Sequence, residues 1–262
     1  MKLLMIGDVV GKPGRRAVAA LLPSLRRELR PDLIIANGEN AAGGFGLTEA
    51  TAQELFVAGV EVITSGNHIW DQKEIIPILD QETRILRPLN YPPGAPGRGV
   101  LAQNGATVIN LQGRTFMIDI DCPFRAVDAA LEELPDDAII VVDVHGEATS
   151  EKQAMGRYLD GRVAAVLGTH THVPTADPRI LPRGTAYVTD VGMVGPLESI
   201  IGNEIEAVLE RFLTGLPTRL PVAEKSPTVQ FNAVLVEIDE GTRRARSISR
   251  IDREYCRDGV QS

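Results

Sequence analysis

The chain has 262 residues, 44% of them hydrophobic, which is enough to bury a sizeable core and sets it apart from disordered chains. Thirty-five acidic against twenty-seven basic residues leave a formal charge of -8, so no global positive field draws in duplex nucleic acid. No apolar stretch reaches the roughly 18 residues of a membrane helix, residues 2–6 are too short for a signal-peptide core, and two cysteines without a CxxC partner suit a reducing compartment; a cytoplasmic location without membrane contact is expected.

Residues 2–6 form a short apolar run ending at Gly7-Asp8, the pattern of a buried strand. A helical pattern follows over 15–29, with Pro23 inside it, where a kink or early end is expected. The next strand pattern, 33–36, runs into Gly38-Glu39-Asn40, and a helix over 48–58 has Thr48 as its cap and Gly59 as its stop. A third run at 62–64 ends near Gly66-Asn67-His68 and is followed by a helical pattern over 72–80. Residues 88–99, rich in Pro and Gly, read as a long irregular loop; Asn104-Gly105, between extended segments over 100–120, is a hairpin signal. A helix over 126–134, a strand at 139–144, a helix over 150–159 capped by Ser150 and stopped by Gly161, and a strand at 163–167 complete the alternation. Residues 216–227 read as a loop, and 231–253 as a second hairpin around Asp239-Glu240-Gly241.

Strand and helix in alternation predict βαβ units and a sheet covered by helices, and the two hairpins predict an antiparallel portion in a second sheet packed on the first. Neither long loop is polar enough to serve as a disordered linker, so residues 1–262 are expected to form one domain.

All four histidines of the chain follow strand ends: His68, His145, His170 and His172. In α/β sheets the loops beyond the carboxyl ends of strands converge on one edge, where Asp8, Glu39 and Asn67 also fall. Imidazole and carboxylate without thiolate suit first-row metals, iron foremost and otherwise manganese or zinc, in an open site. The donors exceed what one tetrahedral ion needs, so two ions sharing Glu39 is the natural count. His170 and His172, two apart in a loop, are placed to reach different ions. Glu147 and Thr149 are expected to support His145. Gly43-Gly44-Phe45-Gly46 reads as a turn without the ending of a P-loop, with Phe45 open to stacking a base; Arg15-Arg16, Arg26-Arg27 and Arg243-Arg244 read as solvated faces, and Trp70 as packing.

In their order, Gly7-Asp8, Gly38-Glu39-Asn40, Gly66-Asn67-His68, His145 and Gly168-Thr169-His170-Thr171-His172 resemble the motif blocks of the calcineurin-like metallophosphoesterases. Residues 7–14, 37–41 and 66–71 are more similar still to the YmdB-like branch, whose members hydrolyse 2′,3′-cyclic nucleotides. Val10 stands where the wider superfamily has a histidine, and Glu39 where it has an aspartate. The resemblance implies a four-layer α/β/β/α sandwich of two mixed sheets flanked by helices. It implies that Asp8, Glu39, Asn40 and His172 hold one ion, that Glu39, Asn67, His145 and His170 hold the other, and that His68 protonates the departing sugar oxygen after attack by a hydroxide between the metals. The expected activity is a dinuclear phosphodiesterase acting on small cyclic nucleotides, 2′,3′-cyclic ones such as 2′,3′-cAMP preferentially. A phosphomonoesterase or protein phosphatase with the same metals, and a metal-containing regulator acting through RNA-processing partners, are the competing readings. Symmetric oligomers are common among soluble enzymes, so a dimer or tetramer is expected.

Overall fold

The computed structural model describes residues 1–256. Its first half alternates as the periodicity predicts: β1 (Lys2–Val9), α1 (Gly11–Leu29), β2 (Leu33–Asn37), α2 (Glu49–Ala58), β3 (Val62–Thr64), a 3-10 turn over Lys73–Ile75 and a short α3 (Ile76–Leu79). After the 88–99 loop come β4 (Val100–Gln103), β5 (Ala106–Gln112), α4 (Pro123–Glu133), β6 (Ile140–His145), α5 (Thr149–Leu159) and β7 (Ala165–Thr169). The chain ends with β8 (Arg179–Ile180), β9 (Ala186–Val188), β10 (Met193–Pro196), α6 (Ile205–Thr214) and a long hairpin of β11 (Thr228–Asp239) and β12 (Arg244–Cys256).

Two six-stranded sheets result, ordered β12-β11-β10-β1-β2-β3 and β4-β5-β6-β7-β9-β8. Alternation along the strands sorts their side chains into three cores. Leu3, Met5, Leu33 and Ile35 meet Val108, Val141, Leu167 and Val188 between the sheets. Leu4, Ile6 and Ile34 face outward onto Val18 and Leu22 of α1 and Leu55 of α2, while Ile109, Val142 and Val144 face Val127 of α4 and Met155 and Leu159 of α5. Two sheets sharing one core, each with helices on its far side, make the expected α/β/β/α sandwich. The parallel strands β1, β2 and β3 of one sheet and β5, β6 and β7 of the other end at a common edge, because the helices that follow β1, β2, β5 and β6 return the chain to the opposite edge before the next strand begins. Among the described residues no helix is long and apolar enough to cross a membrane.

Local chemistry accounts for the agreements and the departures. Thr48 caps α2 in a capping box with Thr51, and Gly59 closes it in the left-handed region at φ 113. Asn104 and Gly105, at φ 49 and 83, make the tight turn between β4 and β5, although residues 113–120 do not continue the strand. Pro23 does not end α1: it lies on the exposed face, where its ring meets no packed neighbour, while Leu22 and Leu25 are buried in the core. The helix expected over 72–80 breaks into the 3-10 turn and α3, with Pro77 in the first turn of α3. Ser150 is not the cap of α5, whose cap position is Ala148, and Asp160 rather than Gly161 closes that helix. Of the single domain expected over 1–262, residues 257–262 lie outside the described residues.

Candidate metal centre

β1 carries a register shift between Ile6 and Asp8, and at Gly7 a Cβ would stand 2.0 Å from the Gly192 carbonyl oxygen. Only glycine lets the strand pass there and deliver Asp8 to the edge. Glu39 follows β2, Asn67 and His68 follow β3, His145 ends β6, and His170 and His172 follow β7. Residues up to 162 positions apart thus meet: the His170 amide donates to Asp8 Oδ2 at 3.1 Å.

Glu39, His145 and His170 each bring one ligand atom to within 4.8 Å of the others. His145 Nε2 is 2.9 Å from Glu39 Oε1, 2.9 Å from His170 Nδ1 and 3.3 Å from Asn67 Oδ1. On the other side of Glu39, Asn40 Nδ2 lies 3.2 Å from Glu39 Oε1 and 3.1 Å from His172 Nε2, which is itself 3.9 Å from Asp8 Oδ1. His170 and His172 have positive φ, 101 and 65, and this backbone sends one ring toward His145 and the other toward Asp8. Gly66 makes room for the cluster, since a Cβ there would meet His145 Cδ2 at 2.0 Å and Glu39 Oε2 at 2.5 Å.

The electrostatics call for a cation. Asp8 Oδ1 is buried and accepts no hydrogen bond, a costly state for a carboxylate unless a positive charge stands beside it. Burial lifts the Asp8 carboxyl to about 6 against the pull of His172 and His145. Burial also works against charge on Glu39 and His145, yet their mutual attraction takes Glu39 down to about 2 and His145 up to about 9. Burial and the neighbouring His145 push His170 down to about 3, so its ring is neutral with a lone pair to give. Carboxylates and imidazoles converging on one buried point are the donor set that first-row metals select, and a metal bound there would take the place of the proton that Glu39 holds on His145.

A buried network aims His145. Thr169 Oγ1 donates to Asp143 Oδ1 at 2.8 Å and lies 3.0 Å from His145 Nδ1, and Thr64 Oγ1 also donates to Asp143. With the Thr169 proton given to Asp143, its oxygen accepts from His145 Nδ1–H, which leaves the Nε2 lone pair facing Glu39, Asn67 and His170.

Against this geometry, a family model described as YmdB-like protein matches residues 4–251. The chain belongs to the YmdB-like family. It is 49% identical over 256 residues to the 2′,3′-cyclic-nucleotide 2′-phosphodiesterase of Bacillus subtilis, covering 96% of both chains. Two solved structures superpose with TM-scores of 0.90: a hypothetical protein from Thermus thermophilus, at 49% identity over 97% of this chain and 99% of that one, and a novel phosphatase from Mycoplasma pneumoniae, at 36% over 96% and 92%. As a member of the YmdB-like family with phosphatase and phosphodiesterase relatives, the chain is an enzyme of phosphoric ester hydrolysis.

Around these residues lies a cleft of about 280 Å³, lined by Glu39, Phe45, His68, His170, His172 and Ile201 among others. Val10 lines it too and packs on Met193 and Val222. His68 keeps its ring out of the cluster: its amide donates to Glu39 Oε2, its Nδ1 lies 2.8 Å from Asp71 Oδ2, and Phe45 meets its ring edge to face at 5.1 Å. The glycines around Phe45 have φ of 68, 96 and 81, the geometry of the expected turn. Trp70 packs edge to face on Tyr91.

Some expectations are corrected here. Glu147 does not support His145 but stands 3.1 Å from His170 Nε2, and Thr149 instead opens α5. Arg15 is not a solvated side chain; it ties α1 to Glu54 of α2 and to the Ala41 carbonyl. Asp71, Asp143, Lys152 and Asp190 were not singled out in the sequence. Lys152, almost fully buried, donates to the Thr169 carbonyl and to Asp190 Oδ2, both at 2.7 Å. Asp190 in turn accepts from Thr171 through its amide and hydroxyl, and so grips the loop between the two histidines. A signal for Lys152 was available: with Met155, Gly156 and Leu159 it falls on the apolar face of α5, where a lysine needs a buried partner.

Proposed function

We propose that the chain, acting as one domain over residues 1–262, hydrolyses small cyclic nucleotides, 2′,3′-cyclic ones preferentially, at a centre of two transition-metal ions, iron foremost and manganese or zinc otherwise. The observation that carries the reading is the unpartnered Asp8 Oδ1, buried in the same cluster as a Glu39 whose Oε1 is met by both His145 and Asn40. Asp8, Glu39, Asn40 and His172 would hold one ion, and Glu39, Asn67, His145 and His170 the other, with Glu39 common to both. Bound there, two such ions lower the pKa of a water molecule and neutralise phosphate oxygens.

The chain's own residues supply the rest. His68 Nδ1–H donates to Asp71, so the proton it can deliver is on Nε2, on a ring that lines the cleft. A sugar alkoxide is a poor leaving group and needs that proton, which supports a cyclic phosphodiester over an activated aryl ester. Phe45, 38% exposed above His68, offers an apolar surface to a base. The identity with the Bacillus subtilis phosphodiesterase supports the same substrate class.

Elemental analysis of freshly purified protein, with assays on 2′,3′-cyclic AMP, 3′,5′-cyclic AMP and an aryl phosphate, tests this. About two metal ions per chain, chelator-sensitive activity and the highest kcat/KM on the 2′,3′-cyclic substrate are expected. Full activity after prolonged chelation removes the metals from the reaction, and the highest kcat/KM on the aryl monoester makes the enzyme a phosphomonoesterase.

A further inference from the structure

A second cavity, of about 870 Å³, lies between α4 and the 88–99 loop and shares no lining residue with the cleft around Glu39. Small-molecule sites typically enclose roughly 300 to 1,000 Å³. Leu89 and Val100 give it one apolar wall, and Ala126 and Ala130 of α4 the other. Its charge is supplied by arginines. Arg87 is only 9% exposed, and its guanidinium donates to the carbonyls of Pro88, Leu89, Ala95 and Pro96 without meeting a carboxylate. Arg114 and Arg125 line the cavity from exposed positions, and among the described residues neither guanidinium has a partner. A buried charge without a counter-ion is costly, and two free charges beside it favour an anion. α4 also opens here, at Cys122, without a side-chain cap on its first amides.

We propose that this cavity is a second, non-catalytic site that binds a nucleoside monophosphate, with the phosphate on Arg114 and Arg125 and the base between the apolar walls. Two exposed carboxylates, Asp121 and Glu133, decide between this and a bare anion, because they also line the cavity. An inorganic anion gains nothing from them and is repelled, whereas ribose hydroxyls can donate to them. An apolar ligand, in turn, leaves the arginines without a counter-ion. Tyr91 adds a group for the base: it lines the cavity, and its buried hydroxyl has no acceptor for its proton among the described residues. Its ring packs on Trp70, two residues past His68, so the site adjoins the loop that enters the cleft without sharing its lining. The assignment stands on this cavity and not on what the cleft hydrolyses.

Photolabelling of the full chain with 8-azido-AMP, followed by mass spectrometry of its peptides, tests the proposal, because the label reads location and separates this site from the cleft. Label is expected within residues 87–93 or 120–134, and AMP is expected to protect these peptides at concentrations where adenosine and inorganic phosphate do not. Two variants check the contacts. Arg114→Glu with Arg125→Glu removes the charges at exposed positions, and Ala129→Trp, also at an exposed position, fills the cavity from α4. Each is expected to raise the azido-AMP concentration for half-maximal labelling of these peptides at least about tenfold, the loss of a charge-assisted hydrogen bond, with circular dichroism unchanged. Label confined to the peptides of His68 and Phe45, protection by adenosine or inorganic phosphate as strong as by AMP, or labelling unchanged in both variants overturns the proposal.

Discussion

Asp8, Glu39 and His145 sit at strand ends and are fully buried, whereas His68, His172 and Phe45 stand on loops of the same cleft and keep contact with solvent. The inner residues are positioned by the sheets and by the Thr64–Asp143–Thr169 network; the outer ones by single contacts such as Asp71 on His68. A buried carboxylate between imidazoles is fixed in place before any ligand arrives and sets what charge the site holds. A half-exposed ring on a loop has freedom to follow a substrate. On the proposed reading, the inner half governs what the site binds permanently, and the outer half what it does to a passing molecule.

The sharpest break is Glu39→Gln. On the proposed reading it keeps size and one oxygen but removes the charge that lets two cations stand a few ångströms apart. A folded protein with reduced metal content and near-zero phosphodiesterase activity is expected, measured by elemental analysis beside circular dichroism; two ions and normal turnover would place the shared ligand elsewhere. His68→Ala probes the outer half. Both metals should stay while kcat falls by about 10² to 10⁴-fold, and the loss should shrink for a nitrophenolate leaving group, which scarcely needs the proton. An equal loss on both substrates would instead mark His68 as a positioning residue.

Lys152→Met tests whether the inner half is held by its buried partners. Removing one member of a buried pair costs about 3 to 5 kcal/mol, and the hydrogen bonds that Asp190 accepts from Thr171 and Gly192 argue for the low end. Denaturant unfolding should show this loss, and adding Asp190→Asn should recover part of it; a loss below about 0.5 kcal/mol would make the pair dispensable. The smallest effect is expected away from the site. Burial raises the Asp177 carboxyl, but hydrogen bonds from Thr175 and Thr189 more than offset it and hold the group below its usual value of 3.8. A depressed carboxylate stabilises the fold above that usual value and loses its contribution below it, as pH falls through the lowered value of the folded state, so Asp177→Asn should flatten the acid limb of a stability-versus-pH curve. An acid limb as steep as that of the wild type would show that Asp177 contributes nothing to it.

What the sequence determined is what adjacent residues decide among themselves. Apolar runs of fixed period announced β1, β2, β3, β6 and β7, Asn104-Gly105 and Asp239-Glu240-Gly241 announced the hairpins, and the strand-end residues that converge on the cleft stood out by composition. The apolar stripe of α6 was equally legible by its spacing but is absent from the elements expected. β8, β9 and β10, of two to four residues, are too short to show any period. Only the tertiary structure decided which side chains meet: that Lys152 finds Asp190, that Glu147 turns to His170 rather than His145, and that Asp143 sits beneath His145. The reason is physical: secondary structure follows from interactions within a few residues, whereas a buried polar group takes whichever partner the folded core brings within about 3 Å, often more than a hundred positions away.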